Sequence, residues 1–173
     1  ARVEAVFDHR VVVETRDGRR LAPGQLGDGV EGLLAVGPLL YAVDEQSHFH
    51  AVARTWLEEA MNGTERVGFP WVSLTAFQRI ITHPRATPSP LTPGDAWSYL
   101  TDWLDADQAW VPAPGSRHSD ILGRLLVDSD LRGNLVTDAH LAALAIEHGT
   151  GICSFDSDFA RFPGLRWINP DRS

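Results

Sequence analysis

The sequence predicts an α/β fold in which a mainly parallel sheet is covered by helices on both faces. Three observations support this prediction. Short apolar segments that suit buried strands alternate with longer segments whose apolar residues recur at helical spacing. This alternation continues from Leu33 to Ile168, as expected of strand–helix–strand units. The 173 residues, 43% of them hydrophobic, are enough to fill the core of one domain.

In the first half of the chain, two strands and three helices are predicted. The first strand is buried and runs into a helix. A second helix, which Ser47 can cap, comes next. A short strand and a buried helix follow. These elements cover residues 33–43, 47–62, 67–69 and 72–81. Asn62-Gly63 is a typical helix end.

In the second half, Thr92-Pro93 opens a helix with proline at the favoured first position. A strand at 109–111 and a helix at 117–127 follow. Thr137 is predicted to cap the next helix, and Gly149 to end it. Strands at 151–154 and 165–168 complete the order.

Residues 1–32 differ in character and are predicted to form an N-terminal extension to a main domain of residues 33–173. The Asp-Gly pair within Arg16-Asp-Gly-Arg19 indicates a hairpin turn, and several glycines then indicate a flexible link.

Composition restricts the possible functions. The net charge of −8 excludes a general polyanion-binding surface, so any contact with nucleic acid requires a local arginine patch. Cys153 is the only cysteine and lies in a predicted strand, which indicates a buried thiol and a reducing cytoplasm. The longest apolar run is about half the length that a membrane-spanning helix needs, and the chain shows no signal-peptide pattern, so we expect a cytoplasmic protein without membrane contact.

Three carboxylates are the best candidates for chemistry. Asp138 falls in the first turn of an apolar helix, while Asp156 and Asp158 follow a short buried strand. Ligands bind at the carboxyl ends of strands in open α/β sheets, and clustered carboxylates suit a hard divalent cation. The simpler interpretation is that these residues only cap a helix and form a turn.

Several separated segments, in their order and spacing, resemble the PIN-domain ribonucleases and, among them, the VapC toxins of bacterial toxin–antitoxin pairs. The main ones are Leu39-Leu-Tyr-Ala-Val-Asp44, Gly133-Asn-Leu-Val-Thr-Asp138 and Ser154-Phe-Asp-Ser-Asp-Phe159. The resemblance covers roughly residues 33 to 170. It implies a PIN-like three-layer α/β/α domain.

The resemblance also implies an activity. Such proteins are Mg²⁺- or Mn²⁺-dependent endoribonucleases that a cognate VapB-type antitoxin silences, and a homodimer is expected by the same analogy. Asp138 and Asp156 match the metal-binding positions. Asp158 is a competitor of Asp156 or a supporting residue, and Ser154 could hydrogen-bond a ligand carboxylate or water.

The chain departs from the family pattern at its first acidic position. Counting back from Leu39 places Ala35 where the family has its first aspartate, and Gly37 where it has a polar residue. The helix predicted at 72–81 also carries no acid. Three explanations stay open: an inactivated copy, an altered or shifted start of the usual sequence, or a protein that keeps only RNA or antitoxin binding. The alternative to an impaired nuclease is therefore a catalytically inactive binding module.

Other candidate residues are weaker. Arg79 and Arg85, at the end of a helix and in its loop, could pair with RNA phosphates or an antitoxin carboxylate. The His48-Phe-His50 spacing is more typical of exposed histidines at a helix start. His140 and His148 lack the spacing of a zinc pair, so zinc is not expected.

Overall fold

The computed structural model describes residues 32–172. The predicted hairpin and flexible link lie almost wholly outside these residues. Within the described range, the strands are β1 (Gly32–Leu34), β2 (Val67–Gly68), β3 (Ala109–Trp110), β4 (Gly151–Cys153) and β5 (Arg166–Ile168). The α-helices are α1 (Val36–Val43), α2 (His50–Asn62), α3 (Trp71–Ile81), α4 (Pro93–Leu104), α5 (His118–Asp128) and α6 (Leu135–His148). Short 3-10 helices span Ser157–Arg161 and Pro170–Arg172.

The strands form one parallel sheet in the order β3-β2-β1-β4-β5. The chain therefore builds outward from β1 in one direction and returns to β1's other side with β4. All five strands run parallel, but β2 and β3 are added on one side of β1 and β4 and β5 on the other. Open α/β sheets bind ligands at the point where the order reverses, here between β1 and β4.

Two apolar clusters cover the two faces of the sheet, which confirms the three-layer prediction. Leu33 packs with residues of α5 and α6, whereas the next residue, Leu34, packs with residues of α1, α2, α3 and α4. This alternation follows from the period of two in a strand. Both leucines are completely buried, as expected for the central strand of a covered sheet.

Two predicted helix starts were wrong. The helix α6 begins at Leu135 with Asn134 as its N-cap, so Thr137 lies inside the first turn. Gly133 adopts a positive φ of 61°, which turns the chain into the helix earlier than the apolar pattern indicates. Ser47 precedes the N-cap residue Phe49 of α2, and its hydroxyl accepts a hydrogen bond from the Phe49 N–H.

Other local predictions are confirmed. Thr92 caps α4 by accepting from the N–H of Asp95 at 3.1 Å. Gly149 ends α6 in the left-handed conformation, with φ 68°. None of the helices in the described part of the chain is both long and apolar enough to cross a membrane.

Candidate functional site

A pocket of about 370 Å³ lies at the carboxyl ends of β1 and β4. The first turns of three helices line it, because α1 and α3 each follow a strand that ends at this edge and α6 begins beside it. The rings of Tyr41, Phe49 and Phe155 form a further wall and pack on one another at centroid distances of 4.8–5.3 Å. The pocket therefore combines polar first-turn positions with an apolar wall.

Asp138 lies in the first turn of α6 and lines the pocket. Burial raises the pKa of its carboxyl group, and the charges of Asp156 and Asp158 raise it further, while Arg161 lowers it. Asp138 is distant in sequence from the other two acidic residues, but it lines the same pocket as Asp156, and their charges interact through space. A bound cation would relieve the unfavourable charge.

Asp156 also lines the pocket, in the loop that follows β4. Its backbone N–H donates to the Ser154 hydroxyl at 3.1 Å, and its carboxylate accepts from the N–H of Asp158 at 2.8 Å. The buried Phe159 holds the far end of this loop in the core. We call Asp138 and Asp156 the carboxylate side of the pocket.

Asp158 does not line the pocket. Its carboxylate pairs with the Arg161 guanidinium at 2.7 Å, and both side chains are partly exposed. The geometry therefore favours Asp156 over Asp158 as the pocket carboxylate, in the order that the sequence predicted.

Ala35 and Gly37 also line the pocket. Ala35 directly follows β1, is buried, and continues the sheet by donating its N–H to the Cys153 carbonyl at 3.1 Å. A Cβ on Gly37 would meet only the Tyr41 ring, at an ordinary 3.6 Å. Position 35 thus lies at the pocket where an acidic side chain would join Asp138 and Asp156, and this chain has a methyl group there.

Sequence reasoning missed Ser73, which is the third residue of α3 and lines the pocket. The side chain is buried, and its Oγ atom has no hydrogen-bond partner. The available signal was a polar residue on the apolar face that Leu74, Phe77 and Ile81 define. With Ala35, Val36, Gly37 and Val72, it forms what we call the amide side of the pocket.

Arg79 and Arg85 lie away from the pocket lining. Arg79 is exposed in the last turn of α3, and Arg85 is exposed in the following loop. Their proposed contact with RNA or an antitoxin therefore concerns the outer surface of the domain.

A second polar cluster lies between α5 and α6. The His118 Nε2 and His140 Nδ1 atoms are 3.0 Å apart, and the His118 Nδ1 atom lies 3.6 Å from the Glu147 carboxylate. Burial lowers the pKa of His140, as does the neighbouring His118. Glu147 also accepts from the N–H groups of Gly115 and Arg117, so this cluster ties the entry of α5 to the end of α6.

No three His, Cys, Asp or Glu side chains within residues 32–172 are grouped so that they could hold a metal ion. The pocket offers two carboxylates together with the Ser154 and Ser73 side chains. Two carboxylates are compatible with Mg²⁺, which keeps several of its waters in protein sites. The donor set fits a weakly held, hydrated cation better than a tightly enclosed one.

Comparison with known proteins identifies the family. The PIN domain family model matches residues 37–165. Ribonuclease VapC37 of Mycobacterium tuberculosis is 48% identical over 132 residues, which are 76% of this chain and 92% of that protein. Ribonuclease VapC33 of the same species is 39% identical over 134 residues, or 78% of this chain and 94% of that protein.

Solved structures agree on the fold. VapBC2 from Rickettsia felis, bound to a DNA fragment from its promoter, gives a TM-score of 0.60 at 17% identity and covers 81% of this chain and 98% of the matched one. VapC20 of Mycobacterium tuberculosis, a Sarcin-Ricin loop cleaving toxin, gives 0.56 at 17% identity and covers 78% and 98%. The chain belongs to the PIN-domain family and, within it, to the VapC ribonucleases.

Proposed function

We propose that this chain has the architecture of a divalent-metal-dependent endoribonuclease of the VapC type and that Ala35 impairs its activity. One observation carries the proposal. Asp138 and Asp156, from separate segments, line the same pocket as Ala35 at the carboxyl edge of the sheet. That arrangement accompanies 48% identity to a protein named as a ribonuclease.

Asp138 and Asp156 are the residues that would hold Mg²⁺ or Mn²⁺. When bound, such a cation acidifies a water molecule and stabilises charge on the phosphate. Ser154 positions Asp156 by accepting the N–H of that residue, and Asp158 steadies the same loop through its own N–H and its pair with Arg161.

The family relationship supports the remaining parts of the proposal. We expect a cytoplasmic protein that a VapB-type antitoxin neutralises, that forms a homodimer and that acts on RNA. Arg79 and Arg85 are proposed to contact RNA phosphates or antitoxin carboxylates outside the pocket.

A second candidate function is a catalytically inactive PIN domain that still binds RNA or an antitoxin. The observation that favours it is that no three His, Cys, Asp or Glu side chains within residues 32–172 are grouped so that they could hold a metal ion. In this case the carboxylate side is retained but cannot support hydrolysis.

The deciding experiment restores the missing acid. Ala35→Asp should raise Mg²⁺-dependent RNA cleavage by at least about a hundredfold, since a third carboxylate would join the cation site. Asp138→Asn should abolish the gain, whereas Asp120→Asn, in the first turn of α5, should not. Cleavage and Mn²⁺ affinity are measured for each variant.

The outcomes separate the two functions. An Ala35→Asp protein that binds Mn²⁺ more tightly but still does not cleave RNA supports the binding module. An Ala35→Asp protein with unchanged Mn²⁺ affinity contradicts the assignment of the cation site itself.

A further inference from the structure

Three aromatic side chains of the pocket lie outside the apolar core. Tyr41 comes from α1, Phe49 is the N-cap residue of α2, and Phe155 lies in the loop after β4. Each is partly buried and lines the pocket, but within residues 32–172 none belongs to the two apolar clusters that cover the sheet. The neighbouring pair of Phe159 and Phe162, by contrast, is buried in one of those clusters. We call Tyr41, Phe49 and Phe155 the aromatic wall.

Ring and backbone contacts hold the aromatic wall in place. The Phe49 ring is tilted against both others, with centroid distances of 5.3 Å to Tyr41 and 4.8 Å to Phe155. The Tyr41 and Phe155 rings meet edge to face, at 5.3 Å and 71°. Ser154, which precedes Phe155, donates its N–H to a carbonyl of β5 at 3.0 Å. Because the rings are already ordered, a ligand that packs on them loses little free energy to ordering the protein.

The position of the wall favours a flat, uncharged group attached to a charged one. Phe155 directly precedes Asp156, and both line the same pocket of about 370 Å³ as Asp138. A cationic side chain of a protein partner would be drawn to these two carboxylates, whereas the phenyl rings attract a neutral aromatic ring by stacking. A nucleotide has this construction, since one ribose separates its base from its phosphate.

We propose that the aromatic wall binds one nucleobase by stacking, with Phe155 as the ring in face contact, and that the wall thereby sets which nucleotide lies beside the carboxylate side. RNA as the source of the base rests on the proposed function. The stacking itself requires neither a cation nor catalysis. A base inside a duplex is covered on both faces by its neighbours, so only an unstacked base can occupy this position. The wall is then a specificity determinant that reads the base and not the backbone.

The first test uses the full chain in EDTA, with adenosine as the probe and ¹H–¹³C NMR signals of the aromatic rings as the readout. The signals of Tyr41, Phe49 and Phe155 should shift along one binding curve, because a stacked base imposes its ring current on them. The Trp97 ring, exposed on α4 outside the pocket, should not shift. No shift at the wall, or equal shifts with ribose 5-phosphate, would overturn the proposal. Displacement of adenosine by a lower concentration of Nα-acetylarginine amide would assign the wall to a protein partner instead.

Variants then test the stacking ring. Phe155→Leu keeps an apolar side chain but removes the ring, so it should weaken adenosine binding by about tenfold. Phe155→Tyr keeps the ring face and should bind adenosine as the parent chain does. Trp97→Leu is the matched control for the loss of a ring and should leave binding unchanged. Equal weakening by Phe155→Leu and Phe155→Tyr would contradict stacking.

Because the readout is nucleoside binding in EDTA, failure of the wall and failure of the nuclease are distinguishable. Adenosine binding by the parent chain without RNA cleavage by Ala35→Asp leaves the base site standing. Cleavage by Ala35→Asp without adenosine binding by the parent chain removes the base site alone.

Discussion

The two sides of the pocket are built by the same topology but carry opposite electrostatic character. The carboxylate side places Asp138 in the first turn of α6 and Asp156 in the loop that follows β4. The amide side places Ala35 directly after β1 and Ser73 in the first turn of α3. In both, a strand end and a helix start meet at the sheet edge. The fold therefore supplies the positions, whereas single side chains decide which ion each position attracts.

Helix dipoles act in the same direction on both sides. Three helices present their first turns to the pocket, and each favours negative charge nearby. On the carboxylate side this charge belongs to the protein. On the amide side no acidic side chain supplies it.

The largest expected effect removes charge from the carboxylate side. Asp138→Asn should lower Mn²⁺ affinity by at least about tenfold, because one of only two pocket carboxylates is lost. Isothermal titration or electron paramagnetic resonance measures the affinity. Asp120→Asn, an acid outside the pocket, should leave it unchanged; equal losses in both variants would refute the two-sided description.

The pH dependence of Mn²⁺ binding tests the state of Asp138. Burial and the Asp156 charge raise the pKa of Asp138, so protons should displace Mn²⁺ at a higher pH than at an ordinary aspartate. As pH falls, the Asp138 carboxyl group is protonated at a higher pH in the folded protein than in the unfolded chain. Protonation of this group therefore increases the free energy of unfolding between its folded pKa and its lower unfolded pKa. Carboxyl ¹³C NMR measures the pKa directly.

Substitutions identify the cause of that shift. Asp156→Asn should lower the pKa of Asp138 more than Asp158→Asn does, because Asp156 makes the larger charge contribution. The asparagine at position 156 can still accept the N–H of Asp158, so the loop should keep its form. An unchanged pKa in both variants would mean that the acids are not coupled.

A smaller effect is expected when a hydrogen bond on the carboxylate side is removed without a change of charge. Ser154→Ala removes the acceptor for the Asp156 N–H, which should lower the free energy of unfolding by about 1 kcal/mol. Mn²⁺ affinity should fall a few-fold because Asp156 is held less firmly. Ser98→Ala, on the exposed face of α4, is the control for stability and should not change Mn²⁺ affinity.

The smallest effect is expected from arginines on the surface outside the pocket. Arg79→Ala and Arg85→Ala should each weaken RNA binding by a few-fold and reduce the salt dependence of the binding constant by about one phosphate contact. Arg124→Ala, exposed on α5, is the comparison. An equal loss of RNA affinity in all three variants would indicate that binding depends on the total positive charge and not on a defined set of arginines.

Local signals made most of the fold predictable. Thr92-Pro93 and Gly149 marked helix boundaries because caps and left-handed positions depend on the residue itself. The start of α6 was misplaced because Thr137 resembles a cap, whereas the positive φ of Gly133 begins the turn earlier. Neither Asn134 nor Thr137 makes the expected side-chain cap.

The site was predictable only in part. Asp138 and Asp156 could be paired because parallel strands end at one edge, and the resemblance placed Ala35 beside them. Ser73 and the His118–His140 contact were not foreseen. Whether a hydroxyl group has a partner, or two histidines meet across helices, depends on packing between segments far apart in the chain.

Residue type and spacing alone establish the strand–helix alternation, the carboxylates available and the alanine at position 35. The packing of the folded chain establishes which side chains share the pocket, that the Ser73 hydroxyl has no hydrogen-bond partner, and that burial raises the pKa of Asp138. The physical reason is that burial and charge coupling act through space, and distances in space are set once the helices have packed on the sheet.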